Sequence, residues 1–520
     1  FVFNGVTAGL FGLGFYIHRR WKLHTTSQGL LTIGTLLVPL NFLAIAAFSE
    51  GAAPINPWMI GGELVSTVLF SALVYAAARI ITPRAPVALA LGVVGCALSE
   101  LLVRRCVAPG AGLAILAAMA CVPLTYYLVA VGTVIWRTRD WPEWGEAQAN
   151  ELLELLGTVS FAAAVTLALL LVKTGAVWDS LCQLAPLASV SGVPALAVGL
   201  LIMQRLKAAE LAGLRTAGTS IAVLGAGVLL SGLVLGWTSP ASLVLVGITD
   251  FVVFAAVGLA FEIPAAQLLA TAALVPAWLA VFHVVAGHIG WQRASRADMA
   301  HALLSAASGS ALLPLAALIG GLAWWLARGV RAAHGRFFAL AAAAVAVLSL
   351  GLVIGFGFGR SPDAGATWVI LFYAFVALVA GMRAGPAAIW VGSALLLTAI
   401  VQGVVFRYAD WLGCREPWIV ALLAHSSLMT LAAAAGYRAR EPRAGPCDAL
   451  RHSALVSSMA AVPLIASLLR WEAPGTVAGY SFWLAADWFV LAWLAGSHVL
   501  FTAFQVALSL GVALAAAGWG

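Results

Sequence analysis

The sequence predicts an all-α fold, a polytopic bundle of transmembrane helices. Of its 520 residues, 63% are hydrophobic and 9% are charged, against about 25% charged in an ordinary soluble domain. Even a large soluble domain buries only about 75% of the surface its unfolded chain exposes, so a bilayer must solvate the rest. The apolar runs are also continuous, as in Leu30 to Phe48 and Leu340 to Phe356. Barrel strands would alternate apolar and polar residues over about ten positions. In lipid the backbone must satisfy its own hydrogen bonds, which leaves helices.

A spanning helix needs about 20 apolar residues, and this rule gives roughly 17 or 18 spans with short connections. Their centres fall near Leu10, Asn41, Leu69, Val94, Ala120, Val165, Leu196, Gly227, Val252, Leu279, Ala316, Val347, Ala377, Leu396, Leu422, Ala461, Val490 and Leu508. The stretch from Tyr480 to Trp519 is too long for one crossing and is read as two. Residues 2–17 lead into His18-Arg19-Arg20-Trp21-Lys22 rather than a cleavage site, so they read as a retained span, not a signal peptide. The whole of 1–520 is expected to be one polytopic membrane region, a fragment of a longer chain.

Charge and tryptophan place the ends of the spans. The odd-numbered connections hold Arg19, Arg20, Arg79, Arg84, Arg137, Arg205, Arg328 and Arg451, and carry about twice the basic residues of the even ones. This predicts a cytoplasmic side for the odd connections and an outside start at Phe1. Trp21, Trp58, Trp136, Trp237, Trp291, Trp324, Trp325, Trp411, Trp418 and Trp471 fall at segment ends, where amphipathic rings favour the headgroup level. The most polar connection, 137–154, pairs Trp141 and Trp144 with Asp140, Glu143, Glu146, Glu151 and Glu154. It reads either as a connector lying in the membrane interface or as a solvated loop entering the next span. Arg outnumbers Lys 24 to 3, which points to a GC-rich bacterial genome and hence to a bacterial inner membrane.

The formal charge of +7 is scattered between apolar segments and forms no patch suited to phosphate backbones, so nucleic acid is excluded as a partner. The expected partner is the lipid bilayer. Six cysteines (Cys96, Cys106, Cys121, Cys182, Cys414, Cys447) show no CxxC spacing, and no zinc, disulfide or cofactor framework is expected. There is no Walker loop, HExxH helix or Gly-x-Ser-x-Gly elbow. Gly355-Phe-Gly-Phe-Gly359 has the glycines of a phosphate loop but ends a membrane helix instead of following a strand.

Ionisable groups inside a span are costly, so each is a functional candidate. Asp250 is the clearest, in Leu243-Val-Leu-Val-Gly-Ile-Thr-Asp250 with no charged neighbour for several turns. A carboxyl held away from water and cations is a natural place to take up and release a proton. His283, mid-way through the next span, is the candidate partner for a relay. Glu63 is read as snorkelling or facing a cavity, and Glu100 as pairing locally with Arg104 at i+4. Asp487 and His498, eleven residues on, are read as sharing a helix face. Asn41 follows Pro39, whose ring frees a carbonyl that an amide can satisfy, and Pro276 and Pro314 mark further candidate kinks. Gly5/Gly9, Gly232/Gly236 and Gly351/Gly355 fit the GxxxG packing pattern.

These features point first to a secondary transporter or a flippase for lipid-linked substrates. The alternatives are a membrane-embedded transferase using interfacial acids such as Asp140, Glu143, Glu146 or Asp410, and a non-catalytic scaffold subunit of a membrane complex.

Overall fold

A computed structural model describes residues 2–48, 57–107, 112–138, 145–173, 176–206, 212–291, 294–329, 331–358, 364–413, 416–437, 444–469 and 474–519. Every element among them is helical, as the hydrogen-bond demands of lipid dictate. In chain order they are α1 (Val2–Tyr16), α2 (His24–Phe48), α3 (Pro57–Ile81), α4 (Pro86–Cys106), α5 (Leu113–Thr138), α6 (Glu146–Lys173), α7 (Val177–Gln183), α8 (Ala185–Val190), α9 (Gly192–Arg205), α10 (Ala212–Leu235) and α11 (Pro240–Ala260). Then follow α12 (Ala266–Val285), α13 (Arg296–Leu303), α14 (Ala306–Ala327), α15 (Ala332–Gly357), α16 (Ala364–Ala384), α17 (Pro386–Val401), α18 (Ala409–Leu412), α19 (Pro417–Tyr437), α20 (Ala444–Leu468), α21 (Pro474–Ala495) and α22 (His498–Trp519).

Among the described residues, seventeen stretches are long and apolar enough to cross a bilayer, and each contains one expected centre from Asn41 onward. The eighteenth, near Leu10, is the 15-residue α1, which a π-helical segment, Ile17–Trp21, extends directly. Proline opens α3, α4, α11, α17, α19 and α21, where its missing N–H is one of the groups a helix start leaves unpaired anyway. The expected break inside 480–519 falls at Gly496. Its φ of 58° is left-handed, and Ser497 N–H closes the end of α21 on the Ala492 carbonyl.

The contacts divide the chain into two compact units, residues 1–300 with 319–341, and residues 301–318 with 342–520. Unit 1 holds a core shared by α1 to α6 and α9, including Phe11, Leu31, Val74, Leu89, Leu155 and Ile202. A second core joins α9 to α12 through Leu196, Leu229, Phe254 and Ala270. In unit 2 a core of Ile389, Leu423, Met429, Ala461 and Leu491 joins α17 and α19 to α21.

Polar ties at the helix ends follow the strict alternation of a multi-spanning chain. Arg84, between α3 and α4, pairs with Glu151 at the start of α6 (2.9 Å), and Arg137 at the end of α5 donates to the Arg84 carbonyl. Gln28 at the start of α2 donates to Ile80 at the end of α3. All lie on odd connections. On the even side, Arg104 at the end of α4 pairs with Glu63 at the start of α3, and Ala241 and Ala294 exchange backbone bonds with Trp291 and Thr238.

Of the three GxxxG pairs expected, Gly232/Gly236 lies in a close helix contact and the other two do not. Gly5, Gly9, Gly351 and Gly355 have open space where a Cβ would stand. The close approach is between α8–α9 and α10, where Gly218, Gly225 and Gly232 recur every seven residues. A Cβ on Gly225 would meet Leu196 N at 2.4 Å, and one on Gly232 would meet Ser189 Cβ at 2.6 Å. Seven residues are almost two whole turns, so this stripe stays on one face for longer than a single GxxxG pair. Within the connector 137–154, residues 139–144 lie outside the described residues. Glu146 to Glu154 form the first turns of α6, continuous with its span.

Candidate functional site

The glycine stripe on α10 positions Asp250. It seats α8–α9, which carries Pro186 and Pro194 and stays helical through Ser191, tightly against α10. That seating brings Ser189, fully buried on α8, to α11, where its hydroxyl donates to Asp250 Oδ1 at 2.7 Å. On the other side Gly247 lets α11 approach Ala273 and Ala277 of α12. Asp250 is 0% exposed, and its Oδ2 has no hydrogen-bond partner. It therefore faces protein, as the cost of a carboxylate in lipid requires.

The expected Asp250–His283 relay does not form. Gly247 sits level with Ala273 and Ala277 in the antiparallel α11–α12 pair, so Asp250 lies near Ala273. His283 is ten residues further along α12, about 15 Å at 1.5 Å per residue. Its buried ring instead contacts His288, Nδ1 to Nδ1, at 2.9 Å.

Glu63 and Glu100 exchange their expected roles. Arg104 turns away from Glu100, its i+4 neighbour, and pairs with Glu63 of α3. Glu100 accepts from Thr166 of α6 at 3.1 Å, is 0% exposed, and leaves its Oε2 unpartnered. Asn41 does not serve the carbonyl that Pro39 frees. Its amide donates to Thr7 Oγ1 at 2.8 Å and fastens α2 to α1, both residues being buried.

In unit 2, Asp487 and His498 do not share a helix. The Gly496 turn separates them, and His498 opens α22 with its side chain exposed. Asp487 is buried on α21 and accepts from Ser427 of α19 at 2.9 and 3.1 Å, while Trp483 Nε1 donates to the same Ser427 hydroxyl at 2.8 Å.

A second polar cluster surrounds His425, a histidine that the sequence places within a span but whose serine partners it does not reveal. Its Nδ1 lies 2.7 Å from Ser457 Oγ, and its Nε2 lies 3.0 Å from the Ser393 carbonyl and 3.1 Å from Ser393 Oγ. A proton on Nε2 bonded to that carbonyl leaves Nδ1 to accept from Ser457. Ser393 also contacts Ser453. The one local signal is the i+4 spacing of Ser453 and Ser457 on α20. Ser393 and His425 are joined to them only by the fold.

Four clefts have known linings. One of about 90 Å³ lies among Arg84, Arg137, Gln148 and Glu151, and one of about 370 Å³ among Gln204, Arg215, Phe261 and neighbouring apolar residues. A third opens beside Trp325 and Arg328, and a fourth is an apolar groove at Tyr75 and Tyr126. None of the four is lined by Asp250 or Asp487. Among the described residues no group of three His, Cys, Asp or Glu side chains gathers as a metal site. The candidate residues thus include carboxyls buried within each unit of a multi-pass membrane protein, Asp250 held by Ser189 in unit 1 and Asp487 by Ser427 in unit 2. Comparison with family models, curated proteins and solved structures gives no match for this chain.

Proposed function

We propose that this multi-pass membrane protein is a secondary transporter, a class that includes flippases of lipid-linked substrates, and that Asp250 is its proton-exchange site. The observation that carries this reading is the geometry at Asp250. A fully buried carboxyl meets a single hydroxyl, Ser189, on the proline-bearing helix α8–α9, and its second oxygen has no partner. Proline inside a membrane helix frees backbone carbonyls, and such positions are where transporters present polar groups to a substrate. The basic odd connections favour a cytoplasmic face on that side, and the composition favours a bacterial cell membrane. The transferase alternative rests on interfacial acids. Of these, Asp140 and Glu143 lie outside the described residues, and Asp410 is exposed on the four-residue α18.

The test is proton movement in proteoliposomes containing trapped pyranine under an imposed potassium diffusion potential. It is run with and without external sugars, amino acids and lipid-linked headgroup analogues. Protein-dependent proton flux that drops at least tenfold in Asp250→Asn supports the reading. Flux equal to that of protein-free vesicles under every condition removes it in favour of a scaffold.

A further inference from the structure

Asp487 differs from the other buried carboxyls in the oxygens around it. Glu100 and Asp250 each meet one hydroxyl and leave the second oxygen bare. Both oxygens of Asp487 meet Ser427, and the neighbouring Ser426 hydroxyl also faces this carboxylate, outside hydrogen-bond geometry. No Lys, Arg or His among the described residues pairs with Asp487.

Ser426 is 0% and Thr430 2% exposed, and neither hydroxyl has a hydrogen-bond partner. Elsewhere in the bundle such hydroxyls commonly donate to the carbonyl one turn back, as Ser71, Thr133 and Ser481 do. These two leave that option unused, although a buried polar group without a partner is costly. At about 100° per residue, Thr430 falls between Ser426 and Ser427 on the face of α19, one turn further along. Alternating spans make α19 and α21 run in the same direction. Trp483 and Asp487, one turn apart on α21, both reach Ser427, so Thr430 stands at the level of Asp487. Ser427 donates to the carboxylate and accepts from Trp483, and a hydroxyl oxygen keeps one further lone pair.

We propose that Asp487, Ser426, Ser427 and Thr430 form an intramembrane binding site for a monovalent cation of sodium size. The carboxylate supplies the charge and the three hydroxyls supply neutral oxygens, the donor set that hard cations take. A cation there gives Asp487 a counter-charge and gives Ser426 and Thr430 their missing partner. The site is independent of Asp250 and of the transport reading.

The experiment is ²²Na⁺ binding to the purified full chain in nanodiscs, at constant ionic strength set with choline chloride. Saturable binding of one ion per chain is expected, abolished in Asp487→Asn and at least tenfold weaker in both Ser426→Ala and Thr430→Val. Ser467→Ala, an exposed hydroxyl bonded to Leu464, binds as the parent does. Folding of each variant is checked by gel filtration, and the two hydroxyl variants decide the matter if Asp487→Asn does not fold. No saturable binding in the parent chain overturns the site. So does binding that either hydroxyl variant leaves unchanged.

Discussion

At the scale of single residues, the buried charges among the described residues include the Arg104–Glu63 ion pair and several carboxyls held by hydroxyls. Arg104 is 3% exposed and its Glu63 partner 18%, so removing one member leaves the other poorly solvated. Breaking such a buried pair typically costs about 3–5 kcal/mol, whereas replacing both members by apolar groups is often neutral. Arg104→Met is therefore expected to lower the thermal midpoint clearly, and Glu63→Leu with Arg104→Met to restore most of it. Equal losses in the single and double variants would contradict the pair. Asp250→Asn is expected to stay folded, because the amide oxygen still accepts from Ser189. A chain that aggregates on this change would show that Asp250 serves chiefly to tie helices. The presence of Asp250, Asn41 and Asp487 as buried polar groups, and of Glu63 as a half-buried one, is legible in the sequence, since each interrupts an apolar run. Their partners are not. Thr7, Ser189 and Ser427 are ordinary hydroxyls in hydropathy, and Arg104 has two carboxyls within reach, of which the nearer in sequence is the wrong one.

At the scale of helices, the approach of α10 to α8–α9 makes the Asp250 contact. Gly225 tolerates no side chain, because the atoms in its way are Leu196 N and the Gly192 carbonyl, which belong to a backbone and cannot rotate aside. Gly225→Leu is expected to destabilise by about 1–3 kcal/mol or more through overpacking and to separate Ser189 from Asp250. Gly227→Ala, on the same helix with open space around it, is expected to be neutral or slightly stabilising, since Ala is the better helix former. Thermal unfolding of the two variants in detergent compares them directly. Equal midpoints would mean that α8–α9 is not seated as described. The length rule found each span, including both halves of 480–519, because lipid thickness imposes it. Of the GxxxG pairs, Gly232/Gly236 does meet close neighbours, while Gly5/Gly9 and Gly351/Gly355 meet open space; Gly218 and Gly225 escaped the pattern because they join Gly232 at a seven-residue spacing. The turn at Leu184, between α7 and α8, was likewise hidden from the length rule.

At the scale of the whole molecule, alternation of the spans is the central claim, and every end-to-end tie described above joins odd connections to odd or even to even. Nine of the ten tryptophans expected at the interfaces are exposed, from Trp237 at 36% to Trp58 at 89%, as a headgroup belt requires. Trp471 lies outside the described residues. The direct measurement is labelling of single cysteines with a membrane-impermeant maleimide in intact cells, after replacement of the six native ones. Gly145 and Gly213 are exposed on odd connections, and Gly112 and Ala176 are exposed on even ones. The account predicts that Gly112→Cys and Ala176→Cys react at once, and that Gly145→Cys and Gly213→Cys react only after permeabilisation. Gly145→Cys and Ala176→Cys reacting from the same side would contradict it, because α6 alone separates them.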